Sequence, residues 1–203
     1  MNTLWTERDL AIVETLTTRI RMMTLEQLVR VWWPKANNNG ASKRRLRKLT
    51  EAGMIEQRIV NVSCHQTPDE PRFHWLPGGV PPNADDIVGR RADSPASVSM
   101  HVVNATKLAA NLFGSTVYDL PELHRRRHET ALAFVYTHFA ATRPRDAERW
   151  NLTSDADVSA DAWLVDSEQR PQLAIKLVSA MTPEHIVKAH ERFASTSIPY
   201  ELW

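Results

Sequence analysis

Apolar positions in the first fifty residues recur every three or four places, and after Gly53 they shift toward alternation, which predicts helices followed by strands. Thr6-Glu7-Arg8-Asp9 is an N-cap with an acidic residue three positions on, and Leu10, Val13 and Leu16 follow at helical spacing. Thr24-Leu25-Glu26-Gln27 is a full capping box; Leu28, Val29 and Trp32 continue one apolar side until Pro34 stops the helix. The run Asn37-Asn38-Asn39-Gly40 is a turn. A third helix is expected over 41–52, with Leu46 and Leu49 as its stripe and Gly53 just past its end. Residues 54–62 have strand composition, 63–70 make a polar tip, and Phe73, His74, Trp75 and Leu76 supply the returning strand of an expected hairpin.

Pro77, Gly78, Gly79, Pro81, Pro82, Gly89 and Pro95 then mark a linker. Beyond it, helices are expected over 98–113 and 121–141, and strands over 157–165 and 172–178 with a turn between them. Thr182-Pro183-Glu184 opens another helix with Pro at N1, and 198–203 closes the chain as a short strand. The expected class is α+β: an N-terminal winged helix-turn-helix over 1–77, a linker over 78–96, and a small α/β domain over 97–203.

Composition narrows the chemistry. Of 203 residues, 42% are apolar and 24% charged, as in folded chains. No apolar run approaches the ~20 residues of a membrane span, and the N-terminus lacks a basic-then-apolar signal pattern, so a cytoplasmic protein is expected. A single cysteine, Cys64, excludes an internal disulfide framework and zinc sites needing two thiolates from one chain. Neither GxGxxG nor GxxxxGK[ST] occurs, and GxSxG is missing too. The charge is uneven: residues 1–60 hold eleven Lys/Arg against six Asp/Glu, whereas 151–203 hold four against eight. A basic head suits an anionic partner.

That head concentrates its charge on the third helix, in Ala41-Ser42-Lys43-Arg44-Arg45-Leu46-Arg47-Lys48-Leu49. With Leu46 inward, Arg44, Arg47 and Lys48 fall roughly 100–200° away, on a face that can enter a major groove. Guanidinium forks reach guanine edges or phosphates there, while ammonium groups act as point charges. The residues expected to meet double-stranded DNA are Ser42, Lys43, Arg44, Arg45, Arg47 and Lys48, with Arg58 from the wing. The alternative is a solvated basic face on a protein-interaction winged helix.

The helix Thr6–Leu16, the segment Thr24–Leu28 and the run Arg44-Arg45-Leu46-Arg47-Lys48-Leu49-Thr50-Glu51-Ala52-Gly53-Met54-Ile55 resemble the replication-relaxation family of plasmid and mobile-element proteins. His128-Glu129 on a helix, Trp150 before a strand, Asp161 in a strand, and then strand, helix and strand are similar to that family as well. The order also resembles PD-(D/E)XK nuclease-like domains. The resemblance implies a regulator or a replication or mobilisation factor of a mobile element or defence locus.

A nuclease of that plan needs an Asp on one strand and an acidic-x-Lys on the next, to hold a divalent cation and orient water. Asp161 and Lys176 fit, Glu129 could add a ligand, but Ala174 stands at the acidic position. An inactive nuclease-like domain without cofactor or metal is therefore expected. The rival readings are a metal-dependent DNA nuclease using Glu129, Asp161 and Lys176, and an antitoxin-like protein-interaction module with an autoregulatory winged helix. His124 and His128 have metal-ligand spacing without a third partner, and Cys64, His65 and His74 match no common zinc spacing. A homodimer is expected through Val102, Leu108 and Leu112 of the 98–113 helix and through the terminal Tyr200, Leu202 and Trp203; the second domain could also bind a protein partner.

Overall fold

The computed structural model describes residues 5–35, 40–63, 69–89, 97–115, 120–153, 160–178 and 181–203. The expected turn at 37–39, the residues Cys64 and His65, the linker stretch 90–96 and the start of the 157–165 strand lie outside them. The chain is α+β and divides into two compact units: Met1–Cys64 with Ala96–Thr137, and His65–Pro95 with His138–Trp203. Among the described residues no helix is long and apolar enough to cross a membrane.

Unit 1 begins with α1 (Glu7–Glu14), α2 (Leu25–Trp32) and α3 (Gly40–Glu51). Both predicted capping boxes form: the Thr6 hydroxyl accepts from Asp9 N–H and the Asp9 carboxylate from Thr6 N–H, and Thr24 and Gln27 repeat the exchange. Between α1 and α2 the chain widens into a π-helical turn, Thr15–Arg19, where the Thr17 and Thr18 hydroxyls donate back to the carbonyls of Val13 and Glu14. Gly53 at φ 70° ends α3, with Gly53 N–H donating to Thr50 O and Met54 N–H to Leu49 O. The helices bury Ile12, Val13, Leu16, Ile20, Leu28, Leu46 and Leu49.

The sheet of unit 1 corrects the expected hairpin. Strand β2 (Ile55–Ser63) pairs antiparallel with β4 (Ser97–Ala105), from Ile55 opposite Ala105 to Ser63 opposite Ser97, and not with 73–76. The short β1 (Met23–Thr24) lines the other side of β4, giving the order β1-β4-β2. The expected helix over 98–113 is thus a strand as far as Ala105. Only α5 (Lys107–Leu112), capped by Thr106, is helical. Val98, Val102 and Val103 are β-branched, and β4 pairs along its two edges with β2 and β1, which outweighs the helical spacing of 102, 108 and 112.

Unit 2 takes its first strand from the segment read as the returning strand and linker. Strand β3 (Phe73–Trp75) pairs antiparallel with β8 (Tyr200–Leu202), and α4 (Ala84–Gly89) occupies part of the expected linker. The helix α6 (Leu123–Thr142) passes from unit 1 into unit 2, followed by α7 (Pro144–Glu148), β5 (Trp150–Leu152), β6 (Ala162–Val165), β7 (Pro171–Lys176) and α8 (Pro183–Thr196). The sheet runs β3-β8-β7-β6-β5, with β7 and β8 parallel and the other neighbours antiparallel. On one face Trp75, Ala174, Ile186, Phe193, Tyr200 and Leu202 form a core. Tyr200 is fully buried and shares a 2.9 Å hydrogen bond with His190 Nδ1; burial pushes its phenol well above the ordinary range.

The domain boundaries shift accordingly. The 1–77 segment lacks β4, and the 97–203 segment begins with a strand of unit 1.

Candidate nucleic-acid interface

Helix α3 separates its polar residues cleanly. Leu46, Leu49 and Ser42 are buried, Ser42 at 1% exposure, whereas Lys43, Arg44, Arg47 and Lys48 are exposed. At 100° per residue these four cations fall within an arc of about 140°. Among the described residues Arg47 alone of the four makes an ion pair, an exposed one to Glu51 at 3.5 Å, which contributes little. Four exposed positive groups on one arc make a surface suited to a polyanion.

Two residues expected on that surface turn out to hold the scaffold. The Ser42 hydroxyl is buried, because position 42 lies between Leu46 and Leu49 around the helix. The Arg45 guanidinium forks onto the Asp9 carboxylate through Nε and Nη2. Asp9 is 1% exposed and already closes the capping box of α1, so this pair ties the inward flank of α3 to the first turn of α1. Such a fork demands Arg rather than Lys.

Arg58 also leaves the expected surface. Along β2, Glu56, Arg58, Val60 and Val62 share one face, and Val60 and Val62 pack there with Met22 and Val102. Arg58 donates to Glu56 Oε2 through Nε at 3.1 Å. The opposite face carries Gln57, Ile59 and Asn61, with His101 opposite Ile59 and Ser99 opposite Asn61. This face adjoins α3, since Gln57 Nε2 donates to Thr50 Oγ1 at 2.8 Å. Among its described residues it holds no Asp, Glu, Lys or Arg, and Ile59 is 65% exposed. Period-two alternation along 55–62 is the sequence signal that separates Arg58 from Ile59, whereas charge alone assigns no face.

The residues of the nuclease comparison divide between the units. Glu129 lies in unit 1, buried, with Arg21 Nε at 3.7 Å from its carboxylate. In unit 2, Asp161 immediately precedes β6 and accepts from Lys176 Nζ at 3.1 Å and from Leu177 N–H at 2.7 Å. Ala174 is fully buried opposite Trp163 and beside Tyr200, in the core against α8. The acidic position is thus filled by packing. A divalent cation does not fit these residues: the one carboxylate present is engaged by a lysine and an amide. Among the described residues no three His, Cys, Asp or Glu side chains group as metal ligands.

The terminal strand is no free edge. β8 lies between β3 and β7, and Tyr200, Leu202 and Trp203 are buried. Val102 is buried too, so of the residues expected to join two copies only Leu108 and Leu112 are exposed.

No protein-family model, curated protein or solved structure matches the chain. The resemblance to the replication-relaxation family therefore rests on its motifs alone.

Proposed function

We propose that the protein binds double-stranded DNA through unit 1, with unit 2 as a non-catalytic domain. The observation that carries this reading is the exposed arc of Lys43, Arg44, Arg47 and Lys48 on α3. Its setting supports it: helix, strand, helix, helix, strand, strand with sheet order β1-β4-β2 is the plan of a winged helix, with α3 as the recognition helix and β2–β4 as the wing. Arg44 and Arg47 supply forks for guanine edges or phosphates; Lys43 and Lys48 supply point charges to the backbone. The wing adds hydrogen-bonding and apolar groups at Asn61, Ser99 and Ile59 in place of the charge of Arg58.

In unit 2 the order helix, three antiparallel strands, helix and parallel strand is similar to a nuclease-like core, and the buried Ala174 supports a domain without catalysis. With the family resemblance, this favours a regulator or a replication or mobilisation factor. Homodimerisation belongs to the same proposal through Leu108 and Leu112, on successive turns of α5. Gel-shift titration of mixed duplexes tests the reading. The wild type binds, and Arg44→Ala with Arg47→Ala and Lys48→Ala weakens binding at least tenfold without lowering the unfolding midpoint. Equal affinity of the two proteins overturns it.

A further inference from the structure

The wing hairpin has no ordinary loop. Its strands end at Ser63 and Ser97, and of the 33 residues between them the described ones, 69–89, belong to unit 2. Hairpin loops are commonly two to five residues. Closure probability falls about 2.8-fold per doubling of loop length, so a free 33-residue loop closes about twentyfold less readily than a four-residue one. Here the described part of that segment, 69–89, is not free. Arg72 N–H donates to Leu202 O at 2.7 Å, β3 pairs with β8, and Arg72 Nη1 donates to Ile87 O at 3.1 Å. Trp75 is buried, stacked on Tyr200 at 5.5 Å and donating Nε1–H to Gly79 O. Inside unit 1 the base of the hairpin is fastened by β1 and by Met22 against Val60, Val62 and Val102. The outer face beyond Gln57, with Ile59, Asn61, Ser99 and His101, is open to solvent.

We infer that unit 2 is the clamp that closes the distal half of the wing, so that loosening β3 from β8 opens the wing and weakens the duplex binding proposed for unit 1. The coupling runs through the chain itself: a strand of unit 2 is the loop of the wing. It rests on the DNA-binding reading only for its effect on affinity; the closing of the hairpin stands by itself.

The test compares the full-length chain with Trp75→Ala by amide hydrogen exchange and by duplex titration. Amides of 59–63 and 97–101 are expected to exchange about twentyfold faster in Trp75→Ala, while α1–α3 keep wild-type protection and duplex affinity falls. In a Cys64→Ser background, Asn61→Cys with Ser99→Cys places a disulfide where two side chains already touch, Ser99 Oγ lying 2.7 Å from Asn61 Oδ1. Oxidised, it restores hairpin protection to Trp75→Ala while unit 2 stays destabilised. Wild-type exchange at 59–63 and 97–101 in Trp75→Ala overturns the clamp, as does a disulfide that fails to restore protection. A wild type that binds no duplex overturns the DNA reading, and the exchange data then decide the clamp independently.

Discussion

Asp9 ties α3 to α1 although it is almost fully buried. Its carboxylate closes the cap of α1 and holds Arg45 of α3, so one side chain joins two helices. Removing one partner of a buried pair costs about 3–5 kcal/mol; Asp9→Ala should lie near 3, because the Arg45 side chain keeps 23% exposure and recovers some hydration. Arg45→Lys should lose less, since the charge stays and only the fork is lost. Urea unfolding of the three proteins measures both effects. Equal midpoints would show that the pair does not hold α3. The sequence offered a signal for this contact: Asp9 as the third residue of a capping box is fixed inward, and an Arg at the edge of an apolar stripe is the natural partner. Ser42, Arg45 and Arg58 lie off the exposed arc because helical and strand phase, not charge or polarity, sets where each side chain points.

At the scale of elements, whatever is local was legible. The capping boxes, the stop at Pro34, Gly53 after α3, the Pro at the start of α8 and the strand near 172–176 all depend on residues a few places apart. The sheets were not. The partner of β2 lies beyond a 33-residue excursion, and β3, which follows β2 directly, pairs with a strand at the far end of the chain. A hairpin between consecutive strands is the usual outcome, and nothing in 54–76 alone argues against it. A chain of residues 1–77 tests the corrected pairing. It leaves β2 without β4 and uncovers Val60 and Val62, so its unfolding should lack a cooperative transition and it should aggregate. Residues 1–63 joined to 97–137 by a short turn should unfold cooperatively. A cooperative 1–77 would contradict the pairing of β2 with β4.

For the whole molecule, the proposal that the chain holds DNA without cutting it rests on the basic face of α3 and the packed position of Ala174. Protein with Mg²⁺ or Mn²⁺ should leave supercoiled plasmid intact, and cleavage abolished by Asp161→Ala would favour the nuclease reading. The burial of Ala174 was beyond the sequence, which showed only that a carboxylate was missing. The salt dependence of duplex affinity tests DNA binding through α3 most directly. Each phosphate neutralised contributes about −0.9 to the slope of log K against log salt. The triple variant Arg44→Ala, Arg47→Ala and Lys48→Ala should therefore be shallower than the wild type by up to about 2.7, one phosphate contact for each residue removed. Parallel slopes for the two proteins would contradict the account.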